Sequence, residues 1–295
     1  MTCAPISVAR SDSQRVDVRL RQHLMSSELR IRQKIGKYRL ERRLGQGGFA
    51  SVFQALDTIQ GIRVAVKIPH SQYTTATVLN EFRREIRTTQ NLEHENILPL
   101  KDASIIDDRL VMVFPLGVET LLTRLTRRLA LDTALDIAEQ IIRAVACAHS
   151  HRVIHCDIKP DNVIVFPENR VRLADFGIAK ISRKTVQGSG TGTVGYMAPE
   201  QAMGKPSRRS DVFSIGLIIW RMLTGSWPEW PFEWPPQGHQ RLRSKVPQEF
   251  IDFMRRSIEP NPRRRFRDAE QMLSVFLKLK PRAVRHARTR RRASA

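Results

Sequence analysis

Two short polar motifs constrain the fold of this chain more than any other feature. Residues 155–162 run His-Cys-Asp-Ile-Lys-Pro-Asp-Asn, and Asp-Phe-Gly follows at residues 175–177. Asp157 can accept a proton from a hydroxyl group, and Lys159 can neutralise charge on a phosphate. Asn162 and Asp175 carry oxygen atoms of the kind that Mg²⁺ prefers. Phosphoryl transfer depends mainly on positioning and electrostatic stabilisation, so a fold that uses these groups must bring both motifs to one place.

Length and composition allow one large domain or two lobes with a substantial core, since the 295 residues are 41% hydrophobic. The longest apolar runs, such as residues 217–220, fall far short of the roughly 20 residues that span a bilayer, so no transmembrane anchor is predicted. Charged residues interrupt the N-terminus early, which argues against a secretory signal. Cys3, Cys147 and Cys156 lie at unrelated spacings that predict neither disulfides nor a zinc site. A reducing, cytoplasmic location is therefore predicted.

The formal net charge of +21 is spread unevenly along the chain. Residues 1–37 carry +5, residues 278–295 carry +8 without any acidic residue, and the section between them carries the remaining +8. We interpret residues 1–37 as a basic N-terminal extension. Residues 280–295 are interpreted as a basic, disordered tail, because runs of like charge usually stay solvated. Such a tail could bind anionic partners, either nucleic acid or a membrane surface.

Between these ends, the sequence pattern changes from strands to helices. It predicts strands at residues 38–44, 50–56, 64–68 and 110–114, with an amphipathic helix at 78–92. Further helices are predicted at 131–150, 211–224, 247–258 and 267–279. Residues 227–236 contain four prolines and cannot be helical. We expect the three tryptophans of this segment to pack on the helical part, although docking of a partner is an alternative.

A glycine-rich segment, Gly-Gln-Gly-Gly-Phe-Ala-Ser-Val, occupies residues 45–52 between the first two predicted strands. Glycines let backbone N–H groups approach phosphates closely, but a glycine-rich hairpin alone is often only a turn. Lys67 ends the third strand and can pair with phosphate oxygens, and Glu85 on the following helix is its natural partner. As a surface ion pair these two would contribute only about 0–1 kcal/mol. Their order ahead of the two polar motifs favours a functional site.

These motifs resemble the set that identifies eukaryotic-type serine/threonine protein kinases. The resemblance covers roughly residues 38–279 and includes Val-Ala-Val-Lys at 64–67 and Ala-Pro-Glu at 198–200. Further similarity lies at 211–216 and 261–266, and the family pairs an arginine like Arg265 with a glutamate like Glu200. The compact length resembles bacterial members. The resemblance implies an α+β, two-lobed protein-kinase-like fold. A small antiparallel β-sheet lobe would occupy residues 38–115, and a larger, mainly helical lobe residues 116–279.

The resemblance also implies a role for each site residue. Asp157 would be the catalytic base, assisted by Lys159, while Lys67, held by Glu85, would contact the α- and β-phosphates of ATP. Asn162 and Asp175 would bind Mg²⁺ or Mn²⁺. Met112 would be the gatekeeper next to an interlobe hinge at residues 113–115. The nucleotide pocket would be lined by Leu44, Gly45, Gln46, Gly47, Gly48, Phe49, Ala50, Ser51, Val52, Ala65, Lys67, Met112 and Ile164.

Two residues depart from the family pattern. Cys156 stands where the family usually has an arginine that receives a phosphate from the activation segment, so phosphorylation there should control activity less strongly. A small buried filler is the favoured interpretation of Cys156, and a redox-sensitive position is the alternative. Ala50 replaces the third glycine of the loop, and the phosphate cover should survive if its φ is negative. The activation segment, residues 175–200, offers five hydroxyl residues for autophosphorylation: Ser182, Thr185, Ser189, Thr191 and Thr193.

The sequence thus predicts a serine/threonine protein kinase that transfers the γ-phosphate of ATP-Mg²⁺ to protein hydroxyls, with autophosphorylation. One alternative is a pseudokinase or scaffold with the same fold, which loss of Lys67, Asp157 or Asp175 would have indicated. Another is a kinase associated with nucleic acid or other anions through its basic tail. A small-molecule kinase is disfavoured by residues 192–200, which resemble a peptide-positioning segment. Acidic protein substrates are expected because the body of the chain is basic.

Overall fold

The computed structural model describes residues 29–70, 80, 83, 86, 87, 92–176, 194–229 and 231–293. Strands dominate up to residue 115 and helices dominate after residue 120, as predicted. Residues 1–28 lie outside the described residues, and so does most of the helix predicted at 78–92, including Glu85.

A six-stranded antiparallel sheet forms the N-terminal lobe. Its strands are β1 (Lys34–Ile35), β2 (Tyr38–Gln46), β3 (Ala50–Asp57), β4 (Ile62–Pro69), β5 (Asp102–Ile106) and β6 (Arg109–Pro115), in the spatial order β1-β2-β3-β4-β6-β5. The four predicted strands correspond to β2, β3, β4 and β6. The sequence pattern missed β5 because this edge strand has no buried residue, so it lacks the alternation of apolar and polar residues that marks a half-buried strand.

Cross-strand register places the predicted nucleotide residues on one face of this sheet. Val52 on β3 pairs with Lys67 on β4, and Lys67 pairs with Met112 on β6. Residues that oppose one another directly in an antiparallel pair point to the same face. Their sequence neighbours Phe53, Val66 and Val113 are buried in a hydrophobic cluster on the opposite face. The alternation along each strand therefore separates a packed side from a side that is available to a ligand.

The C-terminal lobe is built around one helix whose central part is fully buried. Its helices are α1 (Leu121–Arg124), α2 (Leu131–Ser150), α3 (Pro199–Ala202), α4 (Arg208–Thr224), α5 (His239–Arg243), α6 (Gln248–Ser257) and α7 (Ala269–Ala293). Every residue of α4 from 211 to 220 is buried, because this helix is apolar around most of its circumference. A reciprocal pair of hydrogen bonds between Ser207 and Ser210 caps its N-terminus, and Gly225, at φ 72°, ends it.

A second, three-stranded sheet brings the two polar motifs together. It consists of β7 (Glu119–Thr120), β8 (Val163–Val165) and β9 (Val171–Leu173), all antiparallel. The first motif ends in a 3-10 turn at Pro160–Asn162 that leads directly into β8. The second motif begins two residues after β9, and Val163 pairs with Leu173. The β8–β9 hairpin is therefore the element that joins residues 155–162 to Asp175.

The C-terminal end differs from the sequence prediction. Residues 280–295 were predicted to be a disordered tail, but α7 continues as a helix through Ala293, so the prediction was wrong for residues 280–293. Ala283 is fully buried, and Val284 and Ala287 pack against the core. Lys280 forms ion pairs with Asp136 (2.6 Å) and Glu139 (2.7 Å) on α2. The packing of small apolar residues at helical spacing and the ion pairs with α2 together outweigh the charge repulsion among the basic residues of this segment.

The proline-rich segment packs on the C-terminal lobe, as predicted for two of its tryptophans. Trp227 and Trp234 both contact the main hydrophobic core, and Trp234 lies edge-on to buried Trp220, with 5.8 Å between ring centroids. Trp230 lies outside the described residues. Across the described ranges, no helix combines the length and hydrophobicity needed to cross a membrane.

Candidate active site

Asp211 in α4 holds the backbone of the first polar motif. Its two carboxylate oxygens accept hydrogen bonds from the backbone N–H groups of Cys156 (2.9 Å) and His155 (2.8 Å). Its Oδ2 also lies 3.0 Å from Nε2 of buried His149. His149 Nδ1 accepts from the N–H of Ala269, so the proton of the neutral ring is on Nε2 and His149 donates to Asp211. These bonds stabilise Cys156 at a φ of 65°, a conformation that costs free energy for a residue with a side chain.

Asp157 projects from this fixed backbone into a polar network. Its Oδ2 lies 3.0 Å from Nζ of Lys159 and accepts a hydrogen bond of 3.0 Å from Nδ2 of Asn162. Asn162 Nδ2 also donates to the backbone oxygen of Asp157 at 2.8 Å. Both partners leave the second carboxylate oxygen of Asp157 available. The Asp157 side chain is about one-third exposed, so a hydroxyl group from outside can reach it.

Lys67 and Asp175 form one of the contacts between the two lobes. Lys67 Nζ lies 2.6 Å from Oδ1 of Asp175, so the end of β4 meets the residues that follow β9. Burial raises the pKa of Asp175, but the charge and hydrogen bond of Lys67, with contributions from His155 and Lys159, outweigh burial and hold the pKa below its ordinary value. Asp175 is therefore a carboxylate anion at neutral pH. Its φ of 67° is a second sparsely populated conformation at this site.

His155 connects the two motifs directly. Its Nδ1 accepts from the backbone N–H of Asp157 (3.2 Å), and its Nε2 lies 2.9 Å from the carbonyl oxygen of Ala174. The neutral ring therefore donates to Ala174 through Nε2. The ring of Phe176 packs edge-on against His155, with 4.5 Å between centroids. The backbone N–H of Ala174 donates to the carbonyl oxygen of Asn162 at 2.7 Å, so both ends of the site are positioned together.

Most of the predicted nucleotide residues lie on the strands of the N-terminal sheet and on the glycine turn that joins β2 to β3. Gln46 and Ser51 pair across the glycine turn, where Gly47 donates to the carbonyl oxygen of Ala50 at 2.9 Å. Phe49 and Ala50 are buried in a cluster with Leu110 and Met112. Four of the predicted residues are at least partly exposed: Leu44, Val52, Ala65 and Ile164. Ile164 lies so close to the segment after the hinge that a Cβ on Gly117 would approach its Cγ2 to 2.3 Å.

Gly45 is not required by the protein itself. Its φ is not positive, and a Cβ added there would meet no atom within 4 Å. Neither backbone conformation nor internal packing therefore calls for glycine at this position. The register between β2 and β3 shifts between Arg43 and Gly45, and glycine is common at such bulges as well as where a ligand approaches the backbone closely. Ala50 also lacks a positive φ, so the condition for Ala50 to preserve the phosphate cover is met.

The donor set near Asp175 fits a hard divalent cation. Asn162 uses its amide nitrogen for Asp157, which leaves its amide oxygen as the ligand atom, and Asp175 provides a carboxylate. Mg²⁺ commonly takes only one or two protein ligands and completes its coordination with water and substrate phosphates. No group of three or more His, Cys, Asp or Glu side chains that could hold a metal occurs within the ranges that the structure describes.

Comparisons with known proteins agree with this geometry. The sequence profile of the protein kinase domain family matches residues 38–277. This chain belongs to the protein kinase family. The kinase is 32% identical to serine/threonine-protein kinase PrkC of Bacillus subtilis over 258 residues, which are 80% of this chain and 39% of PrkC. It is 37% identical to serine/threonine-protein kinase PknA of Mycobacterium tuberculosis over 209 residues, 65% of this chain and 48% of PknA.

The kinase spans less than half the length of these curated relatives. Its fold matches the crystal structure of the PknI kinase domain of Mycobacterium tuberculosis, with a TM-score of 0.65 and 21% identity. That match covers 85% of this chain and 99% of the other. The two-lobed α+β fold and the assignment to bacterial-type kinases are therefore confirmed.

The C-terminal lobe of the kinase contains the predicted ion pair between Arg265 and Glu200. Arg265 Nη1 and Nη2 contact the two oxygens of Glu200 at 2.8 and 3.0 Å. The same guanidinium donates to the carbonyl oxygens of Arg209 and Pro260. Arg265 is buried, and its other donors are satisfied by backbone, which is the condition under which a buried pair is stable. This pair ties the end of the activation segment to the loop before α7.

Two features of the site were not predicted from the sequence. The first is the set of hydrogen bonds that Asp211 accepts from residues 155 and 156, which lie 56 and 55 positions away along the chain. The stack of Trp227, Tyr196 and Arg221 next to Asp157 was also missed. The motif at 211–216 was the only available signal for Asp211. The predicted pairing of Lys67 with Glu85 and the hydroxyl residues from Ser182 to Thr193 lie outside the described residues.

Proposed function

We propose that this chain is a serine/threonine-protein kinase that transfers the γ-phosphoryl group of ATP to a serine or threonine hydroxyl of a protein, including its own. The convergence of Lys67, Asp175, Asn162 and Asp157 on one cleft carries the proposal. The names of the relatives support serine and threonine as acceptors. We propose that the boundary between the two lobes lies near residue 115, while β1 extends the first lobe from the predicted residue 38 to residue 34 and α7 extends the second from the predicted residue 279 to residue 293.

Asp157 acts as the base in the proposed reaction. Its free carboxylate oxygen orients the substrate hydroxyl and accepts its proton as the hydroxyl oxygen bonds to the γ-phosphorus and the bond to the ADP oxygen breaks. Lys159, 3.0 Å from Asp157, neutralises charge on the transferring phosphoryl group. Lys67 contacts the α- and β-phosphates, with Glu85 as the partner proposed to hold it. The backbone of residues 45–52 covers the phosphates.

Asn162 and Asp175 are the residues proposed to hold Mg²⁺ or Mn²⁺. When bound, this ion neutralises charge on the nucleotide phosphates. Asp175 is suited to the role because Lys67 keeps its pKa low despite burial, so the carboxylate is ionised when nucleotide arrives. The remaining lining residues, from Leu44 through Ile164, are proposed to hold the adenine and ribose.

Phosphate incorporation from labelled ATP with Mg²⁺ tests the proposal, with phosphosites mapped by mass spectrometry. We expect incorporation on serine or threonine that falls by at least about a hundredfold in Asp157→Asn and Asp175→Ala. Asp108→Asn, in the exposed turn between β5 and β6, removes one carboxylate far from the site and should behave like the wild type. ATP binding without transfer to itself or to any generic protein would favour the scaffold alternative instead.

We also propose a reducing, cytoplasmic compartment for this kinase. Cys147 and Cys156, the two cysteines in the described ranges, form no disulfide there, and Cys156 is buried. Burial supports the structural interpretation of Cys156 over the redox-sensitive one.

A second candidate function is binding to the phosphate backbone of nucleic acid through α7. Five exposed basic residues lie along its outer side: Lys278, Arg282, Arg285, Arg288 and Arg292. The apolar side of α7 packs on the core, so it is not free to enter a membrane. Arginine forms bidentate contacts with phosphate, and the stripe has no aromatic residue to stack on a base, which favours binding without sequence preference.

Fluorescence anisotropy with a short DNA duplex tests this second candidate. We expect a steep salt dependence, with a log–log slope of about −0.9 for each phosphate neutralised. Replacing Arg282, Arg285 and Arg288 by Gln should flatten the slope. Replacing Arg32, Lys34 and Arg39 on the N-terminal lobe, which removes the same charge, should leave it unchanged. The second candidate function would be contradicted if both triple variants lost the same part of the salt dependence. Binding to anionic vesicles without binding to DNA would also contradict it.

A further inference from the structure

Tyr196, Trp227 and Arg221 form a fixed stack next to the candidate active site. The rings of Tyr196 and Trp227 are stacked, with 4.5 Å between centroids and 29° between planes. The guanidinium of Arg221, in the last turn of α4, lies over the ring of Trp227 at 5.2 Å. Its Nη1 donates a hydrogen bond of 2.7 Å to the hydroxyl oxygen of Tyr196. Two independent contacts therefore hold the positive charge of Arg221 in place.

The chain around this stack leaves little freedom for movement. Trp227 Nε1 donates to the carbonyl oxygen of Gly195 at 3.0 Å. A Cβ on Gly195 would lie 1.8 Å from Cζ2 of Trp227, so only glycine allows the indole to pack this closely. Ser214 Oγ donates to the carbonyl oxygen of Tyr196 at 2.7 Å. Residues 195 and 196 are thus bonded to the loop after α4 and to α4 itself.

Arg221 has a positive charge that no carboxylate in the described part of the chain neutralises. Its guanidinium forms no ion pair there, whereas Arg265 on the same lobe has a bidentate carboxylate partner. One of its five N–H donors binds Tyr196, and the side chain is only partly buried. The remaining donors and the charge are available to a group from outside. A partly desolvated, immobilised arginine is a strong binding site for a carboxylate.

The position of Tyr196 relates this charge to the reaction. Tyr196 and Met197 line a small cavity together with Asp157 and Lys159 of the catalytic loop. A peptide whose hydroxyl group reaches Asp157 therefore crosses the surface formed by residues 195–197. The Tyr196 hydroxyl accepts from Arg221, so only the side chain of Tyr196 separates the guanidinium from the backbone that lines this cavity.

We propose that Arg221 selects protein substrates with an acidic side chain close to the phosphorylated serine or threonine. This inference rests on the proposed kinase function and assigns its substrate class. Asp161 carries a negative charge that also acts on Tyr196. If Asp161 rather than Arg221 determined the preference, substrates with a basic side chain would be favoured. Arg221 dominates because both of its contacts fix its charge, and because the rest of the chain adds a positive field to that of Arg221: the net charge is +21.

Matched peptides test the proposal. Each peptide has one threonine and carries Glu, Gln or Lys at one position within four residues of it, and kcat/KM is measured for the full chain. We expect the wild type to prefer Glu over Gln by about tenfold at one or more positions, the effect of one charge-assisted hydrogen bond. The difference should appear in KM. Arg221→Gln should remove the preference, and Arg221→Glu should shift it towards Lys.

Arg255→Gln is the matched control, because Arg255 also lies over a tryptophan, Trp234, at 5.7 Å but is far from residues 195–197 in sequence and belongs to α6. It should keep the wild-type preference. A purely structural role for Arg221 would lower kcat/KM for all three peptides by the same factor, and this outcome would overturn the proposal. So would a preference that disappears in Asp161→Asn but persists in Arg221→Gln.

Autophosphorylation of the same samples separates failure of this inference from failure of the kinase assignment. A wild-type chain that phosphorylates itself and the peptides but does not distinguish Glu from Gln contradicts only the role of Arg221. A wild-type chain that incorporates no phosphate contradicts both. Thermal melting of Arg221→Glu identifies a variant that fails to fold, and Arg221→Gln then decides the result.

Discussion

The ion pair between Lys67 and Asp175 determines how the candidate metal ligand responds to pH. Burial raises the pKa of Asp175 and Lys67 lowers it, and the net pKa lies below the ordinary value of 3.8. A carboxyl group whose pKa is lower in the folded chain than in the unfolded chain stabilises the fold above its unfolded pKa. That contribution is lost as the pH falls through the folded pKa. Asp175 therefore remains ionised at neutral pH.

Lys67→Met should raise the pKa of Asp175, because it removes the main opposing charge and leaves burial, while His155 and Lys159 remain as weaker contributors. The ¹³Cγ chemical shift of Asp175, followed against pH, measures this pKa. Lys101→Met, an exposed lysine of the same lobe, should leave it unchanged. A pKa that stays low in Lys67→Met would mean that hydrogen bonds or the other cations, and not Lys67, keep Asp175 ionised.

For individual residues, the sequence identifies which ones belong to the candidate site but not which contacts position each side chain. Asp157, Asn162 and Asp175 could be named because their motifs are short and ordered. Asp211 and His149 could not be assigned their roles, since His149 lies 62 positions from Asp211 and nothing local marks the contact. Arg221 was missed for the same reason: its partners Tyr196 and Trp227 are brought to it only by the packing of α4.

Among the elements, α7 shows how packing overrides a compositional pattern. The charge of residues 280–295 predicts disorder, whereas buried Ala283 and the ion pairs of Lys280 stabilise a helix through Ala293. Burial lowers the pKa of Lys280, but Asp136 and Glu139 raise it above its ordinary value, so the lysine stays charged. The helix at 131–150 was predicted well because its apolar periodicity and its burial agree, and the helix at 211–224 was predicted well because it is apolar around most of its circumference.

Lys280→Ala should loosen the C-terminal half of α7. It leaves Asp136 and Glu139 on α2 without their shared cation and removes the tether next to Pro281, so amide hydrogen exchange of residues 283–293 should become faster. Lys278→Ala removes an exposed lysine two positions away and should leave exchange close to that of the wild type. Equal protection in the two variants would show that the apolar contacts of Ala283 and Val284 hold the helix without the ion pairs.

For the whole molecule, the sequence predicted two lobes in the right order, because the change from strand periodicity to helix periodicity near residue 117 is sharp. It did not predict how the lobes meet. The β8–β9 hairpin places Asp175 against Lys67, so the cleft contains groups from both lobes: the sheet face of Val52, Lys67 and Met112, and the loops that flank the hairpin. A nucleotide in this cleft would touch both lobes at once, and its binding should therefore stabilise the whole fold.

Thermal melting with ATP and Mg²⁺ measures that coupling. A ligand that binds only the folded state at a concentration of 100 times its Kd adds about 2.7 kcal/mol, which corresponds to a rise in Tm of about 5–10 °C for a chain of this size. Asp157→Asn should keep the rise, because Asp157 is proposed to contact the acceptor hydroxyl and not the nucleotide. Asp175→Ala should lose the part that depends on Mg²⁺, and EDTA should remove the same part from the wild type. If the Tm of Asp175→Ala rose as much as that of the wild type, Asp175 would not be a metal ligand. Its role would then be limited to the ion pair with Lys67.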